Sequence, residues 1–387
     1  MKKYYLKILL FCFLLIITLF CKTPVLAQEV IRLEESQFEQ TDQSEYQEET
    51  LEGRVIGILD EKEVVPAGGD KIQLYQKLKI LVTYGSLKDK EITVENGYFP
   101  SVNIQKYKVG DKLVIYYSKN FNGNNSFYIA DYVRRSSLGW LFVIFVVLAI
   151  AVGRWQGATS LIGMGISFLV IFKFILPKIY AGSDPVQIAI LGSLVIIPAT
   201  FFLSHGINKK TGIAIAGTLI ALIITGILAD FFVDLAKLTG FSSEEAGFLQ
   251  SYNPDLINMK GLLLAGIIIG VLGVLDDITI SQSAIVSQLK IANPRLRANE
   301  LYKKAMLVGR DHIASMVNTL VLVYTGASLP LLLIFINNPH PFSEIINYEI
   351  VADEVIRTLV GSVGLILAVP ITTFIAVIVT NNKEIKK

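Results

Sequence analysis

The spacing of apolar positions divides the chain into zones. Residues 1–27 carry Lys2, Lys3 and Lys7, an apolar run from Ile8 to Phe20, and Val25-Leu26-Ala27 at the end. That order of basic start, short apolar run and small-residue exit is the pattern of a secretory signal peptide, with an uncleaved anchor as the alternative. Residues 28–51 are acidic and polar and too poor in apolar positions to fold alone, so they read as a flexible linker. From 52 to 133 the period shortens to β-like runs, Gly53–Leu59, Ile72–Tyr84, Lys90–Glu95, Lys112–Tyr117 and Phe127–Val133, separated by Gly- and Asn-rich turn signals. Five such strands predict a small extracytoplasmic β domain of the OB or SH3-like barrel kind, or else a sandwich. Seven apolar runs follow, 138–153, 157–180, 185–204, 211–234, 260–282, 312–336 and 355–380, and residues 381–387 form a basic tail. Each run is near the ~20 residues needed to cross a bilayer, so the fold class predicted is an α-helical polytopic membrane protein of about seven transmembrane helices.

One helix, Gly261 to about Leu289, changes character along its length. It opens as GLLLAGIIIGVLGVL and continues through Asp276, Asp277, Thr279, Ser281, Gln282 and Ser283. The apolar part rises roughly 22 Å, short of the ~30 Å hydrocarbon core, which places both aspartates within membrane depth. A carboxylate there costs about 2.5–3.5 kcal/mol on insertion scales and is by default functional. On a helical wheel Asp276, Thr279, Ser283 and Ser287 share one face. Asp277, Ser281 and Gln288 share the next, which Gly266, Gly270 and Gly273 continue. Ile278, Ile285 and Leu289 form the stripe expected to meet lipid, with the acidic faces turned inward. Gly266 and Gly270 make a small-xxx-small pair suited to close helix packing.

Composition agrees with the pattern. Of 387 residues 52% are hydrophobic and only 18% charged, where a soluble domain carries about 25% charged. A net charge of +2 gives no case for a nucleic-acid partner. Cys12 and Cys21 both lie in the first zone, so removal of that zone leaves neither disulfide nor thiolate metal site. With the β domain outside, the inner segments hold twelve Lys or Arg and the outer loops only Lys237. The positive-inside rule then puts the C-terminus in the cytoplasm. Asp230 and Asp234 stand at an outer span end, His205 and His340 at span ends as solvated groups, and Ser242-Ser243-Glu244-Glu245 is a helix-start pattern.

The helix should stop at Asn293-Pro294, and the next span opens on Arg310-Asp311-His312 and carries Asn318, Thr325 and a kinking Pro330. The short connection makes these two spans antiparallel neighbours, with Asp276 and Asp277 at the depth of Asp311, His312 and Asn318. The stretches GVLDDITISQ (273–282), GRDHIASMVNTLVLVY (309–324) and ASLP (327–330) resemble the YibE/YibF-like bacterial membrane proteins. The resemblance covers roughly 135 to 380, and the β domain before the spans is similar to the larger, YibE-like member. It implies a multi-pass protein of the bacterial cytoplasmic membrane, partnered by a smaller YibF-like protein, and supplies no biochemical activity.

Three functions follow from the residues. In the first the aspartate pair binds a proton or a hard cation for transport, with Thr279, Ser281, Gln282, Asp311, His312 and Asn318 completing an oxygen-rich lining and no cofactor required. In the second the chain is a scaffold whose β domain binds an envelope component. The third, an intramembrane enzyme, is the weakest: Gly273-Val-Leu-Asp276 is not GxGD, and neither HExxH nor GxSxG stands in a fitting context. Tyr98, Phe99, Tyr107, Tyr116 and Tyr117 suit core pairing more readily than a ligand groove.

Overall fold

A computed structural model describes residues 48–66, 71–100, 104–119, 125–252, 256–336 and 341–381. The signal segment, linker residues 28–47, His340 and the tail lysines lie outside the described residues. The chain divides into two compact units, with the boundary between Val147 and Leu148.

The first unit is a five-stranded antiparallel sheet: β1 (Glu48–Val64), β2 (Gln73–Tyr84), β3 (Glu91–Asn96), β4 (Lys112–Lys119) and β5 (Asn125–Tyr132). The spatial order is β3-β2-β1-β4-β5, curled into a half-barrel. β1 begins inside the stretch expected as linker, because Glu48 to Leu51 pair with Ser118 to Ile115 of β4. Alternation along the strands sends Leu51, Val55, Leu78, Ile80, Leu113 and Ile115 into one core. The turn after β3 requires glycine: at Gly97, with φ of 86°, a Cβ would lie 2.0 Å from the Leu74 carbonyl oxygen. Of the five aromatic residues considered for a groove, Tyr107 belongs to the core and Tyr117 is half-buried against Phe127, whereas Tyr98, Phe99 and Tyr116 are exposed.

The remainder is mostly helical. α1 (Arg135–Val170) continues through a π-helical turn (Ile171–Ile175) into α2 (Leu176–Tyr180). Then come α3 (Pro185–His205), α4 (Lys209–Leu235), α5 (Glu244–Tyr252), α6 (Met259–Ala292), α7 (Ala298–Ala327), α8 (Leu329–Ile336), α9 (Phe342–Ile345) and α10 (Glu349–Asn381). Among the described residues, six helical stretches are long and apolar enough to cross a membrane. The expected first two spans form one 46-residue stretch, Arg135–Tyr180, broken at Arg154, where φ is 51° and ψ −131°. A Cβ at Gly157 would lie 2.0 Å from the Ala149 carbonyl oxygen. Residues eight apart in a straight helix stand about 12 Å apart, so the chain doubles back there.

Short polar caps set the helix ends. Asp184 accepts from the Gln187 N–H at the start of α3, and Asn208 from Thr211 at the start of α4. The Ser243 hydroxyl accepts from Ala246 in α5, the helix expected from the Ser-Ser-Glu-Glu pattern. α7 gives way to α8 at Ser328, next to Pro330. α4, α6 and α10 pack against one another, with α3 on α6 and α7 on both α10 and α6. Threonine and glycine bring these backbones close. The Thr218 and Thr279 hydroxyls meet at 2.7 Å, Gly217 lies against Thr372, and Gly364 lies against Thr225. Asp234 pairs with Lys260, and Asp230 lies at the edge of an apolar cavity of about 490 Å³ between α3, α4 and α6.

Candidate functional site

α6 begins where the Asn258 side chain accepts from the Gly261 N–H at 2.9 Å, and ends at Asn293, before Pro294. Its 34 residues rise about 51 Å, and Asp276 stands near the midpoint. The orientation about its axis differs from the sequence expectation. Ile278, expected to meet lipid, is fully buried with Val271, Leu272 and Leu275 in the helical core. The open face carries Gly266, Gly270, Gly273 and Asp277 instead. The reason is that packing here selects small and hydroxylated side chains, so isoleucine is as much at home in the core as against lipid.

The two aspartates therefore look in different directions. Asp276 is half-buried and borders a cavity of about 160 Å³ between α6, α3 and the end of α1. Ser167 and Thr200 supply its hydroxyls, and Ile171, the first residue of the π-helical turn, lines it too. A water occupies about 30 Å³ of liquid volume, so several fit. The Thr200 hydroxyl lines the cavity beside Asp276 and donates to the helix backbone, at 3.0 and 3.1 Å from the Ile196 and Ile197 carbonyls. Asp277 is exposed, as is His205 at the end of α3.

The remaining polar residues of α6 hold helices together. Thr279 is fully buried on Thr218. Gln282 is fully buried, its Nε2 donating to the Ala305 carbonyl at 3.1 Å and to the Thr373 hydroxyl at 2.7 Å. Its Oε1 has no hydrogen-bond partner among the described residues. Ser281 is half-buried. A Cβ at Gly266 or Gly273 would meet nothing within 4 Å, and at Gly270 only the Tyr324 hydroxyl at 3.6 Å, so the glycine face expected to pack closely is open in this chain.

The pattern of the family described as "YibE/F-like protein" matches residues 141–382, and that of the "YibE/F family N-terminal domain" matches residues 46–132. The chain belongs to the YibE/F family. Neither a curated protein nor a solved structure matches it.

In this YibE/F chain α6 and α7 are antiparallel neighbours: Gln282 meets Ala305 near one end of the contact and Gly270 meets Tyr324 near the other. Midway between these anchors, Asp276 is level with Ala314 and Ser315, close to the depth expected for Asp311, His312 and Asn318. Those three do not converge on the aspartates. Asp311 and Asn318 are exposed and His312 half-buried, and no hydrogen bond or ion pair joins them to Asp276 or Asp277 among the described residues. No group of three or more His, Cys, Asp or Glu that could hold a metal ion occurs among the described residues. The oxygens nearest to such a role are the Asp276 carboxylate with Thr200 and Ser167, a hard, oxygen-only set.

Sequence reasoning missed Ser167 and Thr200. Both lie on helices apolar on every side, where no face stands out. The available signal was a seven-residue spacing of hydroxyls, Ser160 with Ser167 and Ser193 with Thr200. His205 is exposed, as expected for a solvated group.

Proposed function

We propose that this YibE/F protein moves a proton or a hard cation across a membrane, with Asp276 as the group that binds and releases it. One observation carries the reading: a carboxylate at the middle of a membrane-length helix borders a small, largely apolar cavity that holds the Ser167 and Thr200 hydroxyls, rather than a salt bridge. Thr200 donates to the Ile196 and Ile197 carbonyls, and a turn of its hydroxyl would bring the proton to an ionised Asp276. When Asp276 binds a proton or shares a cation, the Thr200 proton turns to the Ile196 or Ile197 carbonyl and its oxygen becomes an acceptor or ligand. The π-helical turn beside the cavity supplies a backbone with slack in its hydrogen bonding, a feature often found at functional sites. Asp277 and His205 form the polar approach from the α3 end.

Seven crossings fit this reading better than six. As one span, Arg135–Tyr180 would rise about 69 Å, more than twice the hydrocarbon thickness. A reversal at Arg154 makes two spans and leaves Arg154, Lys209, Lys210 and the basic stretch from Lys290 to Arg310 on one side. Opposite them lie the β domain, Lys173, Lys178 and Lys237, and Lys260 and Arg357, which pair with acids. The side with the basic stretches is the cytoplasm by the positive-inside rule, and the β domain is then outside a bacterial cytoplasmic membrane. The strand order, with β3 beside β5 across an open seam, is also that of an OB-like barrel left unclosed. A smaller YibF-like companion is the partner this arrangement would accept along the open glycine face.

The test is flux in proteoliposomes. Asp276→Asn protein is expected to lose proton- or cation-coupled flux, and Asp277→Asn to keep a reduced rate. Equal flux in wild type and Asp276→Asn would refute the assignment.

A further inference from the structure

The edges of the half-barrel, β3 and β5, face each other without pairing. Beside them opens a cleft of about 520 Å³. Three aromatic side chains on its walls are left uncovered: Tyr98, Phe99 and Tyr128 are 53, 62 and 55% exposed. The first two are held in place. Their rings meet edge to face at 5.2 Å, and Gln73 Nε2 donates to the carbonyls of Gly97 and Phe99 at 2.7 and 2.8 Å. Ordered aromatic faces kept in water are contact surface awaiting a partner.

The polar groups beside them say which partner. Asn96 donates Nδ2 to the Gln105 carbonyl at 2.9 Å, which leaves its Oδ1 without a partner among the described residues. Asn125 Oδ1 accepts from the Tyr117 hydroxyl at 3.0 Å, which leaves its Nδ2 in the same condition. The charged pair on the wall, Lys77 with Glu95 at 3.0 Å, is neutral as a unit. The ligand must therefore be uncharged, flat on an apolar face, and rich in small donors and acceptors at its rim. We propose that this cleft binds an oligosaccharide of the β-1,4-linked N-acetylhexosamine class. Equatorial substitution gives such a sugar flat C–H faces to lie on the rings, while its hydroxyls and acetamido groups match the open amide atoms of Asn96 and Asn125.

Two other ligand classes fit less well. A nucleic-acid strand needs unpaired cations for its phosphates, and Lys77 is already neutralised. An added peptide strand bonded to both edges needs about 10 Å between them, whereas β3 and β5 approach within 8 Å. The inference stands independently of the transport reading, because it uses the β unit alone.

The experiment is calorimetric titration of the full chain in lipid nanodiscs with chitotetraose, and with α-linked maltotetraose for comparison. Chitotetraose is expected to bind and maltotetraose to bind at least about tenfold more weakly. Phe99→Ala and Tyr128→Ala, both at exposed positions that the core does not need, are each expected to weaken chitotetraose about tenfold. No heat from chitotetraose, equal binding of the two sugars, or unchanged affinity in both variants would overturn the proposal. So would binding of an extended peptide in the cleft with no binding of chitotetraose.

Discussion

Gly217→Ala isolates the packing that holds α4 against α10. A Cβ at Gly217 would lie 2.2 Å from Thr372 Oγ1, 3.1 Å from its Cβ and 3.3 Å from its Cγ2. Thr372 is fully buried and has no side space to yield, so the helices must part, at a cost of about 1–3 kcal/mol. Lipid tails are as apolar as the helix surfaces, and lost van der Waals contact has no hydrophobic term to replace it. Thr372→Ala removes the two outer atoms of the clash. It also removes an Oγ1 that has no hydrogen-bond partner among the described residues, and burial of such an atom costs about 1–3 kcal/mol. Alone it is therefore near neutral, and in the double variant it restores most of what Gly217→Ala loses, a coupling of roughly 1–2 kcal/mol. The assay is thermal unfolding of the four proteins in one detergent. An unchanged midpoint for Gly217→Ala, or a double variant as unstable as the single, would refute the close approach of these helices.

Gly157→Ala places a methyl 2.0 Å from the Ala149 carbonyl oxygen and is expected to force the turn at Arg154 open, read as altered thiol labelling of a cysteine placed at Arg154. Replacing Gln282 by leucine removes two hydrogen bonds, while the Thr373 hydroxyl keeps its bond to the Val369 carbonyl. A loss of about 1–3 kcal/mol is expected in the same unfolding assay, and an unchanged midpoint counts against the network. In the β unit, Glu61 is held below its ordinary 4.5 chiefly by the Lys106 ammonium, then by Gln76. A depressed folded-state pKa stabilises at neutral pH, and that contribution is lost as pH falls below 4.5 through the folded value. Glu61→Gln should flatten this part of the acid-unfolding curve followed by near-ultraviolet circular dichroism. The effect is small because the pair is solvent-exposed.

Much of the architecture was legible because it is written in period and length. The change from short alternation to long apolar runs near residue 134 separated sheet from helices, and Asn-Pro after Ala292 marked the end of α6. Arg154, a lone cation between apolar runs, marked the place where the helix breaks. The facing of each helix was not legible. In a bilayer both core and surroundings are apolar, so Ile278 carried no directional signal, while Gly217, Thr218, Thr225 and Thr372 marked the packed side. The site was legible in part for the same reason. Asp276 announced itself as an expensive group in an apolar run, but its partners Thr200 and Ser167 came from helices with no polar face.

Asp276 exchanging its proton or cation inside the bilayer is the point on which the functional account turns, and infrared difference spectroscopy of the protein in lipid tests it directly. Stepping the pH, or adding the transported cation, should change a protonated-carboxyl band in the wild type, and that band should be missing from Asp276→Asn and present in Asp277→Asn. Identical difference spectra from wild type and Asp276→Asn would contradict the account.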